Sequence, residues 1–105
     1  MSAVRKLNYT HINANGTTNI GGPSSTVANQ RCNFLGSVTV NTVGVGNTLT
    51  LYDGPAANNI VIAVLSTVLT GPATIAYDAM LTSGLGLTAV LAGGTAADIT
   101  ICWEA

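Results

Sequence analysis

Apolar and polar residues alternate along most of this chain with a period of two. Cys32, Phe34, Gly36, Val38 and Val40 share one parity, and Asn33, Leu35, Ser37, Thr39 and Asn41 share the other. Successive side chains of a strand point to opposite faces, so this run predicts a half-buried strand. Leu49 and Leu51 face inward in the next run, with Thr48, Thr50 and Tyr52 outward. Ile60, Ile62 and Val64 alternate with Val61, Ala63 and Leu65, so both faces are apolar there. That strand is expected to be covered on both sides, by the second sheet and a loop or by another subunit. Ile75 and Tyr77 oppose Asp78, Leu85, Leu87, Ala89 and Leu91 keep one parity, and Ile99, Ile101 and Trp103 oppose Thr100, Cys102 and Glu104.

Turn chemistry separates these runs: Gly44 to Asn47, the stretch DGPAANN, Gly71 with Pro72, Ser83 with Gly84, and Gly93 with Gly94. No window carries a 3.6-residue apolar stripe with helix caps. The pattern predicts an all-β chain: one β-sandwich of seven or eight antiparallel strands, with Greek-key or jelly-roll crossings. An unbroken meander is the alternative topology. Residues 4–12 read as a first strand or an extended arm, and residues 13–29 as a long polar connection. The chain therefore divides into residues 1–30, an extended polar arm or first strand plus loop, and residues 31–105, the sandwich core.

Composition sharpens the picture. Of 105 residues, 48% are hydrophobic and only 7% charged, against about 25% charge in an ordinary soluble domain. The surface must be covered by Thr, Asn, Ser, Gly and Ala. Such a surface opposes self-association weakly, so much of it is expected to face other subunits. The only cations are Arg5, Lys6 and Arg31, and the net charge is −1. Phosphate-backbone binding needs several Lys or Arg, so no nucleic-acid partner is expected. The nearly uncharged residues 60–81 are interrupted by Gly71 and Pro72 and contain Asp78. They do not read as a membrane span of about 20 apolar residues. The N-terminus shows no apolar segment behind its charges, so it does not read as a secretory signal.

The chemistry-bearing residues are few. Cys32 and Cys102 have no metal-ligand spacing; they read as two buried thiols, with a disulfide as the alternative. Asp53, Gly54 and Pro55 read as turn formers: Asp bonds backbone two residues on, Gly takes positive φ, and Pro fixes φ near −65°. Gly93 and Gly94 read as a second turn. His11 is the only histidine, and no GxSxG elbow or P-loop accompanies it. Glycoside hydrolysis typically takes two carboxylates, and the acids Asp53, Asp78, Asp98 and Glu104 stand apart in the chain. No catalytic residue, cofactor, metal or small-molecule substrate is expected. Trp103 reads as a core or edge anchor, or as part of a subunit interface, where Trp is enriched.

The segments GSVTVNTVGVGNTLTLYDGPAANNIVIAVL and TIAYDAMLTSGLGLTAVLAGGTAADITICWEA carry a resemblance. Leu51, Tyr52, Asp53 and Gly54, then Val61, Ile62 and Ala63, then Gly84 with Leu85, Gly93 with Gly94, and Ala97 to Thr100 with Trp103 form its pattern. Across residues 36–104 the chain resembles small structural proteins of tailed bacteriophage virions, among them head decoration (cement) proteins. Asn58 and Asn59 depart from the pattern, where a Gly is more usual. The resemblance implies a non-enzymatic virion protein, made in the bacterial cytoplasm and seated on the outer surface of the head. It implies the major capsid protein and copies of itself, often as a trimer, as partners. Arg5, Lys6, Tyr9 and His11 are then the candidate capsid-contact arm. A tail, neck or fibre component is the first alternative. A small carbohydrate-binding module, with Tyr52, Tyr77 or Trp103 as stacking rings, is the second, and a small hydrolase on a β scaffold the third.

Overall fold

The computed structural model describes residues 8–21, 32–66 and 73–104. Eight strands run through them: β1 (Asn8–Ile12), β2 (Gly16–Ile20), β3 (Phe34–Thr42), β4 (Thr48–Asp53), β5 (Val61–Ser66), β6 (Ala73–Met80), β7 (Leu87–Ala92) and β8 (Asp98–Glu104). A single 3₁₀ turn, Ala56–Asn58, follows β4. The strands form two antiparallel four-stranded sheets, ordered β1-β8-β3-β6 (sheet A) and β2-β7-β4-β5 (sheet B). Only β4 and β5 are neighbours in both chain and sheet. Every other connection steps from one sheet to the other. The meander is thereby excluded, and the order is that of an eight-stranded jelly roll. The shortest dimension, 21 Å, accommodates two sheets about 10 Å apart plus their outward side chains.

The core is the inward parity of both sheets. Leu49, Leu51, Leu87, Ala89 and Leu91 from sheet B meet Leu35, Val38, Val40, Ile99, Ile101 and Trp103 from sheet A, all buried. Burying each larger aliphatic side chain contributes about 1.5–3 kcal/mol, which is why alternation alone is enough to place these strands. Trp103 is 3% exposed, and its indole N–H donates to Thr10 Oγ1 at 3.0 Å. It belongs to the core of the single chain rather than to a subunit interface.

Three strands depart from the sequence expectation. In β3 the register shifts between Leu35 and Ser37 against both β6 and β8. Against β6 the extra residue is in β6, between Ala76 and Ala79; against β8 it is in β3, at Gly36, and it exchanges the two faces of β3. Leu35 therefore joins Val38 and Val40 inside, while Phe34, expected beside them, is half-buried on the outward side. Gly36 fits the bulge because a Cβ there would lie 3.1 Å from the Cys102 carbonyl oxygen.

The second departure lies within the expected polar connection. Gly16–Ile20 is a strand, paired with β7 over its whole length. Thr18 and Ile20 face inward, opposite Ala89 and Leu87, so two residues suffice to anchor an otherwise polar edge. Tyr9 and His11 lie in β1, paired with β8, which is the first-strand reading of residues 4–12 and not the arm. Residues 8–20 are thus part of the sandwich, whereas Arg5 and Lys6 lie outside the described residues.

The third departure is β5. Among the described residues it pairs only with β4, as the edge of sheet B. A register shift against β4 between Leu51 and Tyr52 turns both Val61 and Val64 outward, where they are exposed at 46% and 66%, so the cover expected from a loop is absent among the described residues.

Candidate functional site: two outer faces and an acid clamp

Asp53 closes β4 and is 6% exposed. It does not fold back on its own loop as the turn chemistry suggested. Oδ2 accepts hydrogen bonds from the Thr82 N–H at 2.8 Å and the Thr82 hydroxyl at 3.0 Å, and Oδ1 from the Ser83 N–H at 3.1 Å. The adjacent Gly54 N–H donates to the Gly86 carbonyl at 2.8 Å. Asp53 therefore clamps the β6–β7 loop onto the end of β4. Burial pushes its carboxyl up, but the bonds from Thr82 and Ser83 outweigh that and hold it below the ordinary value. The turn itself is made by its neighbours. Gly54 sits at φ +90°, where a Cβ would crowd Ser83, and Pro55 at φ −64° leads into the 3₁₀ turn, which Asn59 ends in the left-handed region.

Gly93 and Gly94 answer to a close approach of two backbones. The Val45 and Thr95 amides exchange bonds of 3.0 and 2.8 Å with each other's carbonyls. A Cβ on Gly94 would lie 1.7 Å from the Val45 carbonyl oxygen. Buried Asn47 completes this end of the molecule. Its Nδ2 lies 2.9 Å from Asn15 Oδ1, 3.1 Å from the Ala92 carbonyl and 2.8 Å from the Gly93 carbonyl, and its Oδ1 accepts the Ala97 N–H at 3.1 Å. In the sequence Asn47 is one more turn residue; nothing local marks it as the hub of three loops.

The outer face of sheet A carries a polar ladder. His11 Nε2 meets Asp98 Oδ1 at 2.6 Å, joining β1 to β8. Asn41 of β3 donates from Nδ2 to Asp98 Oδ1 at 3.1 Å and to Thr100 Oγ1 at 3.0 Å. Thr39 and Thr74 pair their hydroxyls at 2.9 Å, carrying the ladder to β6. The bonds from Asn41 and then His11 hold the Asp98 carboxyl below its ordinary value. Tyr9, on the same outward parity as His11, is 73% exposed. Sequence reasoning missed the His11–Asp98 pair, whose members stand 87 positions apart.

Cys32 and Cys102 are free thiols. Cys32 is buried, and loss of hydration pushes its thiol up to about 11; its sulfur lies 3.8 Å from the Phe34 carbonyl oxygen. Cys102 is half-buried on the outward parity of β8, opposite Tyr9. Among the described residues no three His, Cys, Asp or Glu side chains gather as a metal-ligand set, and no helix is long and apolar enough to cross a membrane.

The outer side of sheet B differs in kind. Its cross-strand rows are Thr17, Val90, Thr50, Val64 and Asn19, Thr88, Tyr52, Val61. Neither row holds a charge, and the sequence from Gly54 to Tyr77 holds none. Compared with protein-family models, curated proteins and solved structures, the chain matches none of them.

Proposed function

We propose that this chain is a non-enzymatic structural protein of a tailed-phage virion. In this reading it is a decoration protein that binds the outside of the head and holds neighbouring major capsid subunits together. The observation that carries the reading is the outer row of sheet B, Thr17, Val90, Thr50 and Val64, uncharged and ending beside Val61 in exposed valines, while the neighbouring row is closed within the chain at Thr88. A face of this kind suits a part that spends its working life against other subunits. The resemblance across residues 36–104 supplies the kind of assembly. The jelly roll supports it as analogy only, since viral capsid and lectin domains both use that fold. Tyr9 and His11 face outward from β1 and are open to capsid contact, next to the residues that hold Arg5 and Lys6 in the sequence.

Gold-labelled antibody against the chain, applied to intact virions and viewed by electron microscopy, tests this. Label spread over the heads is the expected result. Label confined to tail or neck replaces the decoration role by a fibre or connector role, and unlabelled virions reject a virion role.

Carbohydrate binding is a second reading, favoured by Tyr9, an exposed ring beside the His11, Asp98 and Asn41 ladder. It shifts the stacking ring from buried Trp103 and half-buried Tyr52 and Tyr77 to Tyr9. A glycan panel probed with the wild type and Tyr9→Ala decides it: binding lost in the variant supports the reading, and no binding by the wild type removes it.

A further inference from the structure

Two places in the chain set a side-chain carbonyl directly before a glycine nitrogen. Asn15 precedes Gly16 and Asp53 precedes Gly54; none of the other nine asparagines or three acids precedes a glycine. In such a pair the unhindered glycine nitrogen can attack the side-chain carbonyl carbon and close a five-membered imide. The fold treats the two pairs in opposite ways. Asp53 is buried, its carboxylate accepts three hydrogen bonds, and the Gly54 N–H is committed to the Gly86 carbonyl at 2.8 Å. A Cβ on Gly54 would lie 3.1 Å from Ser83 Oγ, so this pair has no room to turn. An ionised carboxylate is also a poor target for a nitrogen's electron pair.

Asn15 is exposed, in the link from β1 to β2, and nothing lies within 4 Å of where a Gly16 Cβ would be. Gly16 sits at φ +149°, which favours glycine, and makes the outermost pair of the β2–β7 ladder, with Leu91. A terminal pair of an edge strand opens at little free-energy cost, and opening frees the Gly16 nitrogen. The carboxamide of Asn15 is meanwhile held in place. Its Oδ1 accepts from buried Asn47 Nδ2 at 2.9 Å, and its Nδ2 faces the Gly93 and Gly94 carbonyls at 3.4 Å each. The Asn47 donor stands where negative charge builds on Oδ1 during attack, the arrangement that stabilises an oxyanion. The two carbonyls face the nitrogen that has to leave.

We propose that Asn15 with Gly16 is a site of self-modification, at which the chain converts its own amide to a carboxylate. The Gly16 nitrogen bonds to Asn15 Cγ, the Cγ–Nδ2 bond breaks, and Nδ2 leaves as ammonia, taking the proton of the Gly16 N–H. Water then opens the imide at one of its two carbonyls. Opening at Cγ gives aspartate. Opening at the main-chain carbonyl gives isoaspartate, in which the chain runs through Cγ and is one methylene longer. The sequence of steps consumes only water and releases only ammonia. Either product replaces an amide that faced Gly93 and Gly94 as a donor by oxygens that only accept. Isoaspartate also lengthens the link that places this group beside Asn47. The loops that Asn47 joins are thereby loosened, and a surface with few charges gains one. The inference does not rest on the virion reading, because the purified chain is sufficient to test it.

The test is incubation of the folded full chain at mildly alkaline pH in water enriched in heavy oxygen, followed by digestion and tandem mass spectrometry. Labelled acid at Asn15, ahead of the other nine asparagines, is the expected result, with part of it recovered as isoaspartate by isoaspartyl methylation. Gly16→Ala crowds the attacking nitrogen and is expected to slow conversion roughly 10-fold. Asn15→Gln leaves the backbone at Gly16 as it is but must close a six-membered ring, and its amide should persist. The converted protein, separated by its added charge, should unfold at a lower temperature than the unconverted one. An Asn15 that converts in urea but stays intact in the folded chain overturns the inference, since the fold would then protect the pair. So does faster conversion at another asparagine, isoaspartate at Asp53, or a rate that Gly16→Ala leaves unchanged. An unchanged unfolding temperature overturns the loosening of the Asn47 end.

Discussion

The two outward faces of one sandwich treat their polar groups in opposite ways. On sheet A, His11, Asp98, Asn41 and Thr100 bond to one another across β1, β8 and β3, so the face satisfies itself and ties its edge strand down. On sheet B the row Thr17, Val90, Thr50 and Val64 holds no charge and ends, among the described residues, in the exposed Val64 of the edge strand β5. Inside, the two sheets are equivalent: each contributes a full inward parity of Leu, Ile or Val. Fold stability therefore comes from inward positions shared by both sheets, while the outward positions decide what each face does. A face closed by its own hydrogen bonds gains little from a partner; an uncharged row that ends in exposed valines gains apolar burial.

Several substitutions would break or sharpen that contrast. The largest effect belongs to neither face. Gly94→Ala puts a Cβ on the Val45 carbonyl at a positive φ, and relief requires opening the Val45–Thr95 bridge. Thermal or denaturant unfolding should show a loss of about 3–5 kcal/mol, in the range left to a few severe mechanisms. Leu51→Ala, an inward deletion on sheet B, should cost about 2–5 kcal/mol, and Ile101→Ala on sheet A a similar amount. A large difference between these two would show that the sheets are not equivalent inside.

Asp53→Asn should cost about 1–3 kcal/mol, because the amide keeps one acceptor oxygen and sets an NH2 donor where the other accepted from Thr82 or Ser83. Its pH dependence has a definite sign. The folded-state carboxyl lies below its ordinary value of 3.8, so its stabilisation is fully present above that value and is lost as pH falls through the folded one. Unfolding temperature should drop on acidification below about pH 4 in the wild type, and the drop should be shallower in Asp53→Asn. Equal acid slopes in the two proteins would remove the clamp from the account.

The outward positions should give the smallest changes in monomer stability. His11→Ala is expected to leave the unfolding temperature nearly unchanged, since the pair with Asp98 is solvent-exposed. Val64→Thr should leave monomer unfolding within about 0.5 kcal/mol of the wild type. If Val64→Thr destabilised the monomer more than His11→Ala, the exposed Val64 would be a packed residue and the contrast between the faces would fail.

Much of the fold was legible in the chain. Leu49 and Leu51, Leu87 to Leu91, and Ile99 to Trp103 face inward on the parity that alternation predicts. β3 shows where this breaks: Phe34 and Leu35 exchange faces because one extra residue enters at Gly36, and a bulge leaves no mark in hydrophobic pattern. β2 was hidden because a strand anchored by Thr18 and Ile20 looks like polar loop. The turn at Gly54 and Pro55 was legible, whereas the job of Asp53 was not. An Asx turn and a clamp on a loop 29 positions away use the same residue type.

The sequence by itself determined that this is a β protein, where most of its strands lie and which side of each is buried. Those properties are local: a period of two places side chains on faces, and glycine and proline end the runs. Tertiary structure alone decided the jelly-roll order, the meeting of His11 with Asp98, the Asn47 hub and, among the described residues, the place of β5 at the edge of its sheet. Each depends on which distant strands lie side by side, and that is chosen by burying two inward faces against each other at once.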